Sequence, residues 1–372
     1  VTEPPLFERI TVIGLGLIGS SIARAVKAHH LAGTIIGCDQ NEVSLAYARK
    51  HGFIDTAMHD AKAAVSGSDL VIIATPLSSL SAVTKSIAPG LRAGAIVMDT
   101  CSVKQEAIQA IAPHLPANVD FVPTHPIAGS EQSGVSAGRA DMFDRKRVII
   151  TPSDPSQKSL VLQNVTSFWQ GMGAKLEGMP PHLHDMIYAY VSHLPQLLAR
   201  VAAKQCTPEA LASQSDDLMQ KFTRLSHSDL DLWIEIFTHN RENMLAALDR
   251  YMDVVAHIIN ELAEAPADSS SPAGDAAIQS ALFPRIAASC LITTVMEAEK
   301  KAGFTFSRYA GTGFADFTYP ASQPPDEDIE SISNHHSAVL RILIDYQKEL
   351  KRIYDALSDN DANALSAALK QH

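Results

Sequence analysis

The stretch Ile10–Val26, ITVIGLGLIGSSIARAV, constrains the chain more than any other. An apolar run ends in Gly14, Gly16 and Gly19, spaced G-x-G-x-x-G, and an amphipathic segment follows at once. Glycines so spaced allow a tight turn, let backbone come close to a pyrophosphate, and seat a helix whose N-terminal N–H groups and dipole favour the anion. Twenty residues beyond Gly19 the next apolar run ends at Asp39, which can accept both hydroxyls of an adenosine ribose and would repel a 2′-phosphate. NAD is therefore expected rather than NADP. Leu17 and Ile18 in the first helical turn, and Thr75 and Pro76 after the third apolar run, complete the expected cofactor-binding set.

The pattern around this motif indicates an α/β fold. The runs ITVIGLG, TIIGCD, DLVIIAT, AGAIVMD, DFVPTH and RVIITP read as buried strands separated by amphipathic segments, the signature of a Rossmann-type, doubly wound parallel sheet with helices on both faces. After Met179 the strand signal stops and all-α patterns take over. A helix is expected over His182–Gln205, interrupted at Pro195, and another over Asp229–Leu262. The expected division is residues 1–179 for the NAD-binding domain, 180–263 for a helical domain, 264–275 for a Pro/Ser/Ala/Gly-rich linker, and 276–372 for a further helical block.

The last block repeats the one before it. Sliding Phe222–Leu262 by 95 positions onto Phe317–Leu357, without a gap, matches ten of 41 residues: Phe222, Thr223, Asp231, Ile234, Glu235, Leu245, Leu248, Tyr251, Ile258 and Leu262. Shared helical periodicity accounts for some leucines but not for the Phe-Thr, Asp and Ile-Glu matches, so an internal duplication is expected.

Charge and cysteine content narrow the partners. A net charge of −11 without a block of basic residues argues against nucleic acid or an anionic membrane as partner. Cys38, Cys101, Cys206 and Cys290 have no C-x-x-C spacing, so neither a disulfide framework nor a metal site is expected. No apolar run reads as membrane-spanning and VTEPPLFERI lacks the regions of a signal peptide, so a cytoplasmic location is expected.

Ser102 in DTCSVK and His125 in PTHPIAGSE follow strand ends, where ligands bind in such sheets. These segments, with GLGLIG upstream and HDMIYAYVSHLPQLLA and FTR downstream, resemble the prephenate and arogenate dehydrogenases of tyrosine biosynthesis, over about Ile10 to Leu262. The resemblance implies a dinucleotide-binding domain followed by a helical domain that normally dimerises, with the active site in a cleft between them. It also implies NAD-dependent oxidative decarboxylation of prephenate, or of arogenate, as the activity. His125 would accept the proton of the substrate's C4 hydroxyl and Ser102 would orient it. Arg224 would clamp a substrate carboxylate, His193 would line the substrate site, Trp233 would pack near it, and Glu131 would join a charged network gating it.

The chain departs from the family at one place. Relatives carry a glycine-rich GG-F-DFTR, whose aspartate is expected to meet the arginine of the partner subunit. Here the first copy reads DDLMQKFTR, with Lys221 in the aspartate's slot, and the second reads AGTGFADFTYPA, with Asp316 kept and Tyr319 in the arginine's slot. The expectation is an intramolecular pseudo-dimer in which the second copy donates Asp316 to a site built around Arg224. A monomer follows from it, with a homodimer as the alternative. Trp233 is answered in the second copy by Asp328 and His193 roughly by Cys290, as in a degenerate copy. Competing readings are another β-hydroxyacid dehydrogenase, disfavoured because His182–Ala203 contains no lysine, and a catalytically silent NAD-binding regulator. For the tail, a fused chorismate mutase or a ligand-sensing domain are the alternatives.

Overall fold

A computed structural model describes residues 4–152, 159–206, 217–264, 278–322 and 335–370. The chain forms two compact units, Val1–Asp185 and Met186–His372. The expected linker at 264–275 lies, apart from Glu264, outside the described residues.

The first unit is built on β1 (Phe7–Ile13), α1 (Leu17–Ala28), β2 (Ala32–Cys38), α2 (Glu42–Lys50), β3 (Thr56–Met58), α3 (Ala61–Ala64), β4 (Leu70–Ile73), α4 (Leu80–Ile87), β5 (Ile96–Asp99), α5 (Lys104–Ile111) and β6 (Asp120–Val122). The six strands form one parallel sheet in the order β3-β2-β1-β4-β5-β6. Ile10–Ile13 of β1 pair with Ile35–Cys38 on one side and with Leu70–Ile73 on the other, so the strand that feeds the glycine loop is central. Its apolar side chains are buried because helices cover both faces of a parallel sheet.

DFVPTH is not one strand: Pro123 lacks an N–H and separates β6 from β7 (Thr124–Pro126). RVIITP does not extend the parallel sheet. As β8 (Arg147–Ile150) it pairs antiparallel with β7 and parallel with β9 (Lys175–Gly178) in a separate three-stranded sheet, with α6 (Ser159–Gly171) between β8 and β9 in the chain.

The second unit is helical, and the chain reaches it through α7 (Pro181–Tyr188). The expected helix 182–205 is present but opens into a π-turn at Ala189–His193 before α8 (Leu194–Lys204), whose second residue is Pro195. A proline there cannot donate to the preceding turn, and a widened turn accommodates it. Every residue from Leu194 to Ala203 is buried, which makes α8 the axis of this unit. Then come α9 (Asp217–Arg224), α10 (Leu230–His239), α11 (Arg241–Glu264), α12 (Phe283–Ala302), α13 (Thr312–Thr318), α14 (His336–Ser358) and α15 (Ala362–Leu369). The helix expected over Asp229–Leu262 is thus two helices, broken at Asn240, which caps α10.

A second π-turn, Ile278–Leu282, precedes α12, whose second residue is Pro284. Set proline on proline, Leu282 stands at the end of this π-turn as His193 does at the end of the first. Contrary to the sequence reading, Ile278–Ala302 is long and apolar enough to cross a membrane by length and composition, with a mean hydropathy of 1.3. Some 65% of that window is buried inside the protein, which is how a core helix passes the same test.

Candidate active site

The glycine loop has the shape a dinucleotide needs. Gly14 has φ +88°, and a Cβ there would lie 2.5 Å from the Ala74 carbonyl oxygen; a Cβ at Gly19 would lie 1.9 Å from the Gly14 oxygen. Those two glycines close the turn against β4 and α1. A Cβ at Gly16, the exposed N-cap of α1, would meet nothing within 4 Å, so this is the open side from which a phosphate can approach the N–H groups of Leu17 and Ile18. Asp39 sits at the end of β2, its Oδ2 accepting from the Leu15 N–H at 2.6 Å and its Oδ1 from the Asn41 N–H at 2.8 Å. Those bonds aim a carboxylate at the loop with lone pairs left for a ribose diol. Thr75 and Pro76 follow β4, with Thr75 Oγ1 accepting from Ser79 at 2.9 Å. The residues present fit an adenine dinucleotide.

The chain neighbours of Ser102 and His125 join a buried polar network. Lys104 and Asp99 are an ion pair with both side chains fully buried, and Lys104 Nζ also donates to the Thr124 carbonyl at 2.6 Å. Asp99 in turn accepts from the N–H groups of Cys101 at 3.0 Å and Thr124 at 3.2 Å. Thr124, before His125, and Cys101, before Ser102, are thereby tied to the same two charges. Such a pair costs desolvation and gains only through close geometry and further hydrogen bonds, so its return is a fixed arrangement. Ser102 is half-buried in the turn before α5.

His125 is 8% exposed, and its Nδ1 lies 2.8 Å from Nε2 of His184. His184 Nδ1 lies 2.8 Å from Asp185 Oδ1. Burial, and then the charge of Lys104, push the His184 imidazole well below its ordinary pKa. The sequence does not single out Lys104, the last residue of DTCSVK, or His184 and Asp185, because HLHD reads there as part of an amphipathic helix. One signal was present: α5 begins after Val103, which cannot cap it, and Asp185 supplies the missing acceptor from 80 residues away, taking the N–H groups of Lys104 at 2.7 Å and Gln105 at 2.9 Å. Glu131 is exposed, in the loop after β7 between Gly129 and Gly134, both at positive φ.

In the helical unit, Arg224 at the end of α9 meets Asp316 of α13, with Nε 2.6 Å and Nη2 2.5 Å from Oδ2. His193 is buried, T-shaped against Trp233 with ring centroids 6.2 Å apart. The Asn240 amide is oriented by Asn243, whose Nδ2 donates to its Oδ1 at 2.8 Å, so Asn240 Nδ2 donates to His193 Nδ1 at 3.1 Å. The proton of neutral His193 then sits on Nε2. Half-buried Trp233 also leans on Phe237.

Residues 95 apart meet in this unit. Phe222 stacks on Phe317 with centroids 4.8 Å apart, and the hydroxyls of Tyr251 and Tyr346 are 3.1 Å apart. The offset also turns the Arg224–Asp316 pair into Tyr319–Lys221, and Lys221 Nζ does lie 3.7 Å from the centroid of the Tyr319 ring. The two contacts beside the Phe222–Phe317 stack are thus reciprocal across the 95-residue offset. The counterparts Asp326, Asp328, Ile329 and Glu330 lie outside the described residues.

The family model for the prephenate dehydrogenase nucleotide-binding domain matches residues 22–178, and that for the prephenate dehydrogenase dimerization domain matches residues 180–270 and 276–371. The chain belongs to the prephenate dehydrogenase family. It is 34% identical over 255 residues to a cyclohexadienyl dehydrogenase of Zymomonas mobilis, covering 66% of this chain and 86% of the relative. It is 30% identical over 254 residues to a prephenate dehydrogenase of Bacillus subtilis, covering 66% and 67%. The structure of prephenate dehydrogenase from A. aeolicus in complex with hydroxyphenyl propionate and NAD+ superposes with a TM-score of 0.62 at 29% identity, covering 69% of this chain and 92% of that one.

Proposed function

We propose that the chain catalyses the NAD+-dependent oxidative decarboxylation of prephenate to 4-hydroxyphenylpyruvate, with His125 as the proton acceptor. The observation that carries the assignment of roles is the His125 ring held at Nδ1 by the buried His184, on a strand whose Thr124 shares Asp99 with Cys101, the residue before Ser102. The cofactor is NAD, which the glycine loop and Asp39 would hold and which would supply the acceptor for the hydride of C4 of the substrate ring. The chain's own residues handle the charge and the proton. His125 draws the C4 hydroxyl proton as the C4–O bond gains carbonyl character and returns it as the ring becomes a phenol. Ser102 orients that hydroxyl. Arg224, held by Asp316, binds a substrate carboxylate through its planar fork. Trp233 and the Nε2–H of His193 belong to the same substrate-binding group, and Glu131 acts from its exposed loop on charged ligands entering.

We further infer that residues 276–372 are a second, degenerate copy of the helical domain, paired with the first inside one chain. The 95-residue contacts, the two π-turns each followed by a proline-bearing helix, and the two segments matched by the dimerization-domain model support this reading. A chain that satisfies its own isologous surface is a monomer.

The test is product analysis with prephenate and with arogenate, side by side, alongside light scattering. NADH, CO2 and 4-hydroxyphenylpyruvate formed from prephenate, at a mass near 40.0 kDa, are expected. Turnover of arogenate alone would reassign the substrate, and twice that mass would overturn the pairing within one chain.

A further inference from the structure

His125 can act as a base only if the nitrogen that meets the substrate holds a lone pair, and the buried groups behind it decide which nitrogen that is. Asp185 takes the N–H groups of Lys104 and Gln105, the first two residues of α5, where a helix N-terminus favours an anion. An ionised carboxylate only accepts hydrogen bonds, so His184 Nδ1, at 2.8 Å, must be the donor. His184 is fully buried near the Lys104 ammonium, and both conditions oppose a second proton on its ring. A neutral ring with its proton on Nδ1 has a lone pair on Nε2, and this nitrogen lies 2.8 Å from His125 Nδ1.

We propose that His184 and Asp185 are positioning residues for the reaction: Asp185 fixes the tautomer of His184, and His184 fixes His125 with its proton on Nδ1 and the lone pair on Nε2. The proposal rests on the reading of His125 as proton acceptor. With His184 in the opposite tautomer or protonated, His125 Nδ1 would have to accept. Its Nε2 would then carry a hydrogen, and it could take no proton from the C4 hydroxyl. The relay also stabilises the imidazolium that forms on His125, because the Asp185 charge lies one ring away. Among the described residues the charge of Lys104 from α5 also acts on His184, and Lys104 is paired with Asp99 from β5.

The decisive experiment has two arms, both on the full chain. In the first, 15N spectra of histidine-labelled protein, assigned with His125→Asn and His184→Gln, read the tautomers directly. Protonated Nδ1 and unprotonated Nε2 on both rings is expected, and a protonated His125 Nε2 in the neutral ring overturns the proposal. In the second, Asp185→Asn is compared with the wild type in kcat, both KM values and the pH profile. The expected result is a kcat lower by about 100-fold with KM values within about threefold. The acid limb should also move to lower pH, since the imidazolium loses its distant counter-charge. A folded Asp185→Asn protein with unchanged kcat and an unmoved limb overturns the proposal, as does a loss confined to thermal stability and NAD affinity. Should that variant not fold, His184→Gln and the spectra still decide. Full activity in His125→Asn would instead overturn the underlying assignment of the base.

Discussion

Tyr251 and Tyr346 meet hydroxyl to hydroxyl at 3.1 Å in the core of the helical unit, and they stand 95 residues apart in the chain. The Tyr251 hydroxyl donates to the Ala287 carbonyl at 3.1 Å, so Tyr346 is the donor to Tyr251. Burial pushes both phenols far up, keeping them protonated at any ordinary pH. Tyr251 lies on α11 and Tyr346 on α14, so the two helices bring the same residue to their shared interface.

The two tyrosines are nonetheless unequal. Tyr346→Phe removes one hydrogen bond and should cost about 1 kcal/mol. Tyr251→Phe strips the Ala287 carbonyl of a donor and leaves the buried Tyr346 hydroxyl without its acceptor, so about 2–3 kcal/mol is expected. Urea denaturation of both variants and the double variant measures this; the double variant should cost less than the sum of the singles.

Gly14→Ala and Gly16→Ala should separate stability from cofactor binding. The first forces a Cβ to 2.5 Å from a backbone oxygen at positive φ, so the first unit should lose at least about 1–3 kcal/mol. The second meets open space, so thermal stability should hold while the KM for NAD rises, because the methyl stands where a phosphate must approach.

His184 makes stability depend on pH. Its folded pKa lies well below 6.5, the value of the free side chain, so below pH 6.5 the unfolded chain binds a proton that the folded one does not. Its contribution is complete above that pH and is lost as pH falls, with a slope of up to about 1.4 kcal/mol per pH unit. Denaturation midpoints between pH 7 and pH 5 should fall more steeply in the wild type than in His184→Gln.

Arg224→Lys should raise the KM for prephenate by about tenfold or more and change kcat little, since a point charge cannot replace a planar fork. Asp316→Asn should have a smaller effect in the same direction, because it loosens the guanidinium without removing it. A kcat defect with unchanged KM in Arg224→Lys would contradict the binding role.

The glycine spacing and the alternation of apolar runs made most of the sheet legible, because both reflect local backbone requirements. β3 went unread because Thr56–Met58 is three residues without an apolar run, and it is recruited by its pairing with Ile36–Cys38. RVIITP carried a true strand signal, but no local pattern states which sheet a strand will join. The Arg224–Asp316 pair was legible through the repeat, which brought distant residues into register. The link from His125 to His184 and Asp185 was not, since His184 and Asp185 are ordinary in their own segment and gain meaning only when β7, α5 and α7 converge.

His125 is central to the proposed chemistry, and the most direct measurement is NADH formation from prephenate and NAD+ by the wild-type chain and by His125→Asn. Steady turnover in the wild type, reduced by about 10²–10⁴-fold in kcat in the variant with little change in KM, is the result expected. Wild-type protein that binds NAD and turns over neither prephenate nor arogenate, or a variant as active as the wild type, would contradict it.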